Sequence, residues 1–387
     1  MATQTHPVVS PKTVPPQFPF LDLQAQFNGI REEIMNAIAK TMESQRFILG
    51  PEVEQLEKEI AAYVGCRFAI ACASGSDALT LALMAIGVGY GDEVITTPFT
   101  FVATAGSIAR LGAKPVFVDI DPATYNIDPE KIECAITAST RAILPVHLYG
   151  LPADMTSILA IAGRHHLPVV EDAAQALGAS ANGVRTGNLG TIGCFSFFPS
   201  KNLGCAGDGG MLTTNSIDFA ERLRSLRVHG SRQKYHCEIL GMNSRLDALQ
   251  AAILRVKLNY FEKWTEGRRE HAEQYRILFG AAGLAKQVLP PIQPSGMRHV
   301  YNQFVIRAPQ RDQLRAHLKN AGIPTEIYYP EPIHLQPAFA YLGHTAGSFP
   351  ESEAASREAL ALPIYPELTE EQQDVVVSSI ADFYHVK

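Results

Sequence analysis

One lysine stands where the surrounding residues would take its side chain out of water. Lys201 follows the apolar run "GCFSFF" and precedes the glycine-rich run "GCAGDGG". An ammonium group is costly to bury, and desolvation lowers its pKa until the neutral amine can attack carbonyl groups. The pattern therefore marks Lys201 as a candidate nucleophile.

An acid and an amide follow a second apolar run, "LPVV". Asp172 directly follows Glu171 and would be partly desolvated, which calls for a cationic partner. The two acids would point to opposite faces of a strand, so only one of them can face a site. Gln175 lies three residues further on, within reach of the same ligand. Helix N-capping by Asp172 is the alternative for this acid.

A glycine turn opens a helix earlier in the chain. Gly75, Ser76 and Asp77 in "ASGSDAL" would leave backbone N–H groups at a helix N-terminus, which suits a phosphate. Ordinary helix capping by Ser74, Ser76 or Asp77 is the alternative.

Two phenylalanines could supply a flat surface for a ring. Phe99 and Phe101 in "TPFTFVATAG" would share a face if the segment is extended, and core packing is the alternative. Together these residues match the needs of pyridoxal phosphate chemistry. That chemistry uses a buried lysine to form an imine, an acid beside the pyridine nitrogen, an aromatic ring against the cofactor ring and a phosphate-binding site.

The elements that must position these residues alternate between apolar strands and helices from about Arg67 to Leu212. Strand patterns such as "RFAIACA", "EVITT" and "LPVVED" alternate with helical patterns such as "SDALTLALMAIGVG", "DPEKIECAIT" and "DMTSILAIAGRHH". This alternation predicts an α/β fold with a mostly parallel sheet covered on both faces. Ligands in such folds bind at the carboxyl ends of the strands.

The alternation of short strands and helices ends after the long helical stretch "RLDALQAAILRVKLNYFEKWTEGRREHAEQY". We predict a Pro-rich start over residues 1–18, with its disorder left open. A large cofactor-binding domain follows over residues 19–258, and a smaller C-terminal α+β domain over residues 259–387.

Composition excludes several classes of function. The 387 residues carry a net charge of −6 and no basic cluster, which argues against binding to nucleic acid. No apolar run reaches the roughly 18 residues of a membrane span. Six scattered cysteines form no C-x-x-C pair, so we expect no metal site and no disulfide framework. The first residues lack the apolar core of a signal peptide, and we predict a cytoplasmic protein.

Several motifs, taken together, resemble those of the DegT/DnrJ/EryC1/StrS sugar aminotransferases. Those enzymes depend on pyridoxal 5'-phosphate and have the three-layer fold type I of aspartate aminotransferase. The resemblance covers nearly the whole chain. The matching motifs are "ASGSDAL", "TPFTFVATA", "EDAAQALGA", "SFFPSKNLGCAGDGG", "RVHGS", "GMNSRLDALQAAIL" and "PIHLQPAF".

The resemblance implies a role for each matching residue. Lys201 would tether the cofactor and move the proton, Asp172 would pair with the pyridine nitrogen, and Gln175 would contact the ring hydroxyl. Phe101 would lie against the ring face. Asn243 would reach the phosphate of the neighbouring subunit's site, which makes the working unit a homodimer with shared active sites. The phosphate would otherwise be held by Gly75, Ser76, Asp77 and Ser196.

The resemblance also implies a substrate class. L-glutamate would donate the amino group and leave as 2-oxoglutarate, with pyridoxamine phosphate as the intermediate form of the cofactor. Ser244 stands where enzymes acting at carbon 4 usually carry an aromatic residue, which favours a keto sugar with its carbonyl at carbon 3. The nearest resemblance is to enzymes that aminate UDP-2-acetamido-2-deoxy-3-oxo-glucuronate for surface polysaccharides such as the O-antigen of lipopolysaccharide.

A uronate would need a cation for its carboxylate. Arginine suits this role better than lysine, because its guanidinium can form two parallel hydrogen bonds to a carboxylate. The candidates are Arg232, Lys234 and Arg245, with an interface ion pair as the alternative for Arg245. From the second domain, His334, Tyr328 and Tyr329 would line the sugar pocket, or pack against the large domain.

Three alternative functions stay open at this point. The first is a 3-aminotransferase for a dTDP-3-keto-6-deoxyhexose. The second is a sugar 3-dehydratase on the same fold, against which Lys201 argues because those enzymes carry histidine there. The third is a non-catalytic regulatory protein that keeps the pyridoxal phosphate pocket.

Overall fold

The computed structural model describes residues 18–233 and 235–385. Twelve α-helices lie within these two ranges. Their bounds are α1 (Leu23–Gly29), α2 (Arg31–Ser44), α3 (Pro51–Val64), α4 (Gly75–Ala85), α5 (Val102–Arg110), α6 (Met155–Arg164), α7 (Ile217–Leu226), α8 (Ala248–Leu258), α9 (Phe261–Ala281), α10 (Arg311–Asn320), α11 (Pro350–Glu358) and α12 (Glu370–Phe383).

The strands are short, and β1, β2, β8, β9, β13 and β14 are the ones made mainly of buried apolar residues. Their bounds are β1 (Phe68–Cys72), β2 (Glu93–Thr96), β3 (Lys114–Phe117), β4 (Thr140–Ile143), β5 (Val170–Asp172), β6 (Ser180–Ala181), β7 (Val184–Arg185), β8 (Ile192–Ser196), β9 (Gly210–Thr214), β10 (Ser231–Gln233), β11 (His236–Cys237), β12 (Met297–Arg298), β13 (Phe304–Arg307) and β14 (Ala359–Leu362).

One central sheet collects the strands that the alternating pattern predicts. β2 pairs in parallel with β3 and β4, and β5 pairs in parallel with β8. Parallel bridges from Ile143 to Val169 and from Val146 to Asp172 join the two halves. The resulting order is β3-β2-β4-β5-β8-β9-β1, in which β9 runs antiparallel to both of its neighbours. The predicted α/β fold with a mostly parallel sheet is confirmed.

One predicted helix has a different structure. The segment "DPEKIECAIT" forms two single turns of 3₁₀ helix, at Pro129–Lys131 and Glu133–Ala135. The β-branched residues Ile132, Ile136 and Thr137 disfavour a longer helix, because they lose side-chain freedom against the preceding turn.

A second hydrophobic core lies in the C-terminal part of the chain. It joins Tyr275 of α9, Phe304 of β13 and Leu362 of β14 to apolar residues of α10 and α12. Phe18 packs into the same core, so the first described residue is anchored there.

The predicted domain boundary stays a prediction. Phe261 and Trp264 at the start of α9 still pack against residues of the large unit, and β12 pairs with β6 of that unit. Residues 1–17 of the predicted Pro-rich start lie outside the described residues. Within the described ranges, no helix has both the length and the apolar character needed to cross a bilayer.

Candidate active site

The carboxyl ends of β5 and β8 lie side by side, and the candidate lysine sits in the loop that follows β8. Asp172 of β5 is opposite Cys194 of β8 in the parallel register. The loop folds back on itself, because the Phe197 N–H donates to the carbonyl of Gly209 at 2.8 Å. The Lys201 N–H donates to the carbonyl of Phe198 at 2.8 Å, which fixes the lysine on this turn.

Asp172 is buried and held in one orientation. It is 5% exposed, and its Oδ2 accepts a hydrogen bond from the Thr104 hydroxyl at 2.8 Å. Its Oδ1 accepts from the Ala174 N–H at 3.2 Å. Burial raises the pKa of the Asp172 carboxyl, while the Thr104 hydroxyl, the Ala174 N–H and the Lys201 charge counteract that rise. The two groups are therefore close enough for the Lys201 charge to act on the acid.

Glu171 points to the opposite face of the strand, where it stabilises neighbouring parts of the fold. Its carboxylate accepts from three backbone N–H groups of the loop 187–190 at 2.6–2.9 Å, and it bonds His147 Nε2 at 2.9 Å. His147 Nδ1 accepts from the Ala153 N–H, so Nε2 carries the proton and donates to Glu171. Of the two adjacent acids, Asp172 is therefore the one that faces Lys201.

Lys201 has the electrostatics of a nucleophile. Burial lowers the pKa of its amine to about 8, and the charge of Asp172 partly opposes that fall. Near neutral pH a larger fraction of this amine is therefore unprotonated than in an ordinary lysine, and the unprotonated form is the one that attacks a carbonyl.

Reductive methylation of the apoprotein should show this lowered pKa directly. We expect Lys201 to label half-maximally near pH 8, because burial disfavours its charged form, against ~10.4 for an ordinary lysine. Peptide mass spectrometry across a pH series gives the profile. In the Asp172→Asn protein the midpoint should fall further, because the opposing charge is gone. An unchanged midpoint in that variant would show that the two groups do not interact.

The N-terminus of α4 lies beside the end of β8. Gly75, Ser76 and Ser196 form a small concave site there, which we call the cup. Ser74 caps the helix by accepting from the Asp77 N–H at 3.1 Å, which confirms the capping interpretation for this serine. The N–H groups of Gly75 and Ser76 have no hydrogen-bond partner among the described residues. A Cβ on Gly75 would come within 2.6 Å of the Ser196 Cβ, so only glycine fits there. The cup offers backbone donors and a hydroxyl to an anion.

Gly75→Ala tests this cup. The added methyl would collide with Ser196, so we expect the apparent affinity for pyridoxal phosphate to fall about tenfold and stability to drop by about 1–3 kcal/mol. Gly106→Ala in α5 is the matched control, because a Cβ there meets nothing within 4 Å. Fluorescence titration of the two apoproteins with the cofactor gives the comparison, and equal affinities would contradict the assignment.

Gln175 links the sheet to the second half of the chain. Its Oε1 accepts from the Tyr149 N–H at 2.6 Å, and its Nε2 donates to the Tyr329 hydroxyl oxygen at 3.2 Å. Burial, and secondarily the charge of Asp172, raises the pKa of Tyr329, so its hydroxyl keeps its proton. The structure thus brings Gln175, Tyr329 and Asp172 together.

The two phenylalanines do not share a face, so that prediction is wrong. The segment turns into α5 at Val102 instead of staying extended. Phe99 is fully buried against Tyr125, whereas Phe101 is 56% exposed. The Phe101 ring lies 6.4 Å from the Tyr329 ring, centroid to centroid. A large apolar ring left exposed beside these polar groups is placed to meet a ligand.

The structure does not join the other predicted residues to this group within one chain. Asn243 is exposed, and its side chain has no hydrogen bond among the described residues. Arg245 is half-buried and forms no ion pair within the described ranges. Arg232 lies near Glu221 and Glu238 at 3.6–3.7 Å, and Lys234 lies outside the described residues.

His334 occupies a closed position. It is 1% exposed, and its Nε2 bonds Glu353 at 3.1 Å while Phe349 packs on its ring. Burial lowers the pKa of His334. Glu353 and Phe349 belong, like His334, to the predicted C-terminal domain, so these contacts do not show packing against the large domain, and the contact of His334 with a sugar stays a prediction.

Sequence reasoning missed two residues that organise the site. Thr104 orients Asp172, and Tyr149 holds Gln175 through its backbone N–H. Thr104 lies inside α5, in "TPFTFVATAG", and Tyr149, in "RAILPVHLYG", acts through its backbone, so the side-chain pattern gave no signal for either role.

These residues fit pyridoxal phosphate. Only glycine fits the cup at Gly75, and the cup offers free backbone donors for the phosphate. The amine of Lys201 is partly unprotonated and electrostatically coupled to a buried acid. The exposed Phe101 ring offers the apolar face that a pyridine ring needs.

Comparison with known proteins agrees with this fit. The model of the DegT/DnrJ/EryC1/StrS aminotransferase family matches residues 28–381. A crystal structure of S. venezuelae DesV, in complex with a ketimine intermediate, superposes with a TM-score of 0.92 at 44% identity and covers 95% of this chain and 98% of that one.

Three curated relatives are similar over nearly their whole lengths. A "pleiotropic regulatory protein" of Geobacillus stearothermophilus is 57% identical, over 95% of this chain and 98% of the relative. A UDP-N-acetyl-3-dehydro-alpha-D-glucosamine 3-aminotransferase of Acidithiobacillus ferrooxidans is 48% identical, over 92% and 94%. A UDP-2-acetamido-2-deoxy-3-oxo-D-glucuronate aminotransferase of Pseudomonas aeruginosa is 44% identical, over 94% and 99%.

Proposed function

The chain belongs to the DegT/DnrJ/EryC1/StrS aminotransferase family, and from that membership we propose that it aminates carbon 3 of a UDP-2-acetamido-2-deoxy-3-oxo-hexuronate, with L-glutamate as donor. It is a sugar aminotransferase that depends on pyridoxal phosphate. The observation that carries the proposal is the placing of Lys201, the buried Asp172 and the N-terminus of α4 around the adjacent carboxyl ends of β5 and β8, with the charges of Lys201 and Asp172 acting on each other.

Each residue of the site has a distinct task in this proposal. When bound, pyridoxal phosphate supplies an electron-withdrawing ring that weakens the C–H bond of the carbon bearing nitrogen. Lys201 holds the cofactor covalently between reactions, and its freed amine carries the proton on and off that carbon. Asp172 keeps a negative charge where the protonated pyridine nitrogen would sit, and Thr104 fixes its orientation.

Two of the reported relatives support the choice of carbon 3. Their names place the carbonyl at position 3 of a UDP-linked 2-acetamido sugar, and they differ at carbon 6, which is an alcohol in one and a carboxylate in the other. Ser244 is fully buried, and its hydroxyl accepts from the Ala73 N–H at 3.2 Å. An aromatic side chain at this position would need space that the described packing does not provide.

Arg245 is the cation that we assign to the carboxylate of the uronate. It has no ion-pair partner within the described ranges, whereas Arg232 already lies near two glutamates. A guanidinium without a carboxylate partner suits a planar, bidentate contact with a substrate carboxylate.

Asn243 supports a homodimer with shared sites. Its side chain is exposed and lies outside the group around Lys201, as a residue that serves a neighbouring subunit would. Mixing the Lys201→Ala and Asn243→Ala proteins after denaturation and refolding should then restore about a quarter of wild-type activity, because each mixed dimer regains one intact site. No recovery, with both proteins refolded as dimers, would contradict site sharing.

Free thiols support the cytoplasm as the location. All six cysteines are described, and none forms a disulfide. Unpaired cysteines are the rule in a reducing compartment. Production of an amino sugar for surface polysaccharide, such as the O-antigen of lipopolysaccharide, is the pathway class that we propose for the product.

A coupled assay with three sugars tests the proposed substrate. The purified holoenzyme is supplied with L-glutamate and, in turn, the 3-oxo-hexuronate, its carbon 6 alcohol counterpart, and a dTDP-3-keto-6-deoxyhexose. We expect the uronate to give the highest kcat/KM and mass spectrometry to show nitrogen at carbon 3. Preference for the dTDP sugar would overturn the proposal.

A second candidate is a regulatory protein that keeps the pyridoxal phosphate pocket, which we consider because one relative is named a "pleiotropic regulatory protein". The half-reaction with L-glutamate alone separates the two. Formation of 2-oxoglutarate with conversion of the cofactor to pyridoxamine phosphate supports the enzyme, and its absence in protein loaded with cofactor supports the regulator.

A further inference from the structure

The loop that carries Lys201 depends on contacts from outside itself. This Lys201 loop, residues 197–209, contains three glycines, which have no side chain with which to pack. A Cβ on Gly204 would lie 2.3 Å from the Pro199 carbonyl oxygen, so the chain turns sharply just after the lysine. The Lys201 amine makes no hydrogen bond among the described residues. The backbone of the loop therefore sets the position of this amine.

Helix α8 holds the Lys201 loop at two points. The Lys257 Nζ donates to the Gly204 carbonyl at 2.6 Å. The Gln250 Oε1 accepts from the Ala206 N–H at 2.8 Å. Lys257 follows Gln250 by seven residues, so the two side chains lie two turns apart on the same side of the helix. One helix face thus binds the loop at both places.

Lys257 is costly to keep in this position. It is half-buried, and burial lowers the pKa of its amine. It forms no ion pair within the described ranges, whereas Arg255 on the same helix pairs with two glutamates. The Cys205 thiol also acts on Lys257, but burial raises the pKa of that thiol to about 11, so it is uncharged at neutral pH. The hydrogen bond to Gly204 is the contact that offsets the desolvation of the Lys257 amine.

The place of Lys257 at the end of a helix has a simpler explanation. It lies in the last turn of α8, where the helix dipole favours a positive charge. Lys319 has the same place in the last turn of α10, yet it is exposed and makes no hydrogen bond to the Lys201 loop. Lys319 is therefore the matched control for the dipole effect.

We infer that Lys257 and Gln250 are positioning residues for Lys201, because they hold the Lys201 loop in the turn that places the lysine beside the ends of β5 and β8. The inference rests on the role that the proposed function gives to Lys201. A lysine that is both covalent anchor and proton carrier needs a fixed backbone, since a misplacement of about 1 Å can cost about 100-fold in rate. Both residues bond the backbone of the loop, so they act through Lys201.

Reductive methylation of Lys201 in the full-length apoprotein measures this positioning without any substrate. The wild type should label half-maximally near pH 8. In Lys257→Met and Gln250→Met we expect the midpoint to rise by about one pH unit or more toward the ~10.4 of an ordinary lysine, because a looser loop lets water reach the amine. Gln250→Met changes no charge, so its shift must come from the loop. Lys257→Arg keeps a charged donor and should restore the wild-type midpoint.

The holoenzyme supplies the second measurement. In stopped-flow absorbance of the glutamate half-reaction, Lys257→Met and Gln250→Met should lower the maximal rate by about 10–100-fold and leave the KM for L-glutamate within about threefold. Lys319→Met should match the wild type in both measurements. A shifted midpoint in Lys319→Met would show that loss of a helix-end charge is sufficient, and would overturn the inference.

A purely structural role predicts a different result. If Lys257→Met lowers the Tm but the folded protein keeps the wild-type midpoint and half-reaction rate, the inference is overturned. If Lys257→Met fails to fold, Gln250→Met decides the matter by the same two measurements. Labelling involves no sugar, so an enzyme that labels as expected but rejects the 3-oxo-hexuronate would contradict the proposed function and support these two positioning residues.

Discussion

Replacing Lys201 with alanine is expected to lower kcat/KM by about 10⁴-fold or more, because one side chain serves as both the covalent anchor and the proton carrier. The structure gives this amine a pKa lowered to about 8 by burial. No other described lysine combines such a pKa with a facing acid in the group at the strand ends. Release of 2-oxoglutarate from L-glutamate measures the loss.

Two further variants test whether the loss of activity is specific to the Lys201 amine. Lys201→Arg keeps a positive charge but removes the nucleophile, so it should be as inactive as the alanine variant. Lys114→Met is the control, since Lys114 lies on β3 away from the Lys201 loop and pairs with Glu93 at 3.1 Å. Borohydride should fix the cofactor to Lys201 in the control and not in the two variants. Transamination by Lys201→Ala with normal cofactor absorbance would end the assignment.

Replacing Asp172 with asparagine is expected to lower kcat by about 10²–10³-fold, the usual effect of removing one group that stabilises charge in a buried site. The substitution keeps the shape of the side chain and its contact with Thr104 while it removes the charge. Without that charge, the pyridine nitrogen of the cofactor would lose its proton and the ring would withdraw electrons less effectively. Stopped-flow absorbance of the glutamate half-reaction gives the rate.

The neighbouring residues supply the comparison for Asp172→Asn. Thr104→Val removes one hydrogen bond to the carboxylate and should cost about tenfold or less. Glu171→Gln should mainly lower stability, because Glu171 accepts from the loop 187–190 and does not face Lys201. An Asp172→Asn enzyme within tenfold of the wild-type rate would show that this acid is not the partner of the cofactor nitrogen.

The sequence by itself predicted the fold class and the cofactor, which are confirmed, and the candidate site residues, whose roles stay predictions. Alternating short strands and helices require a parallel sheet, and such a sheet brings the carboxyl ends of its strands to one edge. Asp172 ends β5, Gly75 begins α4 after β1, and Lys201 lies in the loop that follows β8, so local pattern alone places them near that edge. The motifs around them are contiguous in the chain and can be recognised without a structure.

Only the tertiary structure decided which side chains face the site. The local pattern does not say whether Asp172 or Glu171, or Phe101 or Phe99, faces the site. Turns and packing decide this in the folded chain. The decisive contacts join distant parts of the chain, such as Thr104 to Asp172 and Gln175 to Tyr329. A side chain's direction depends on the backbone turn that carries it and on the groups that pack against it, and those groups come from segments far away in sequence.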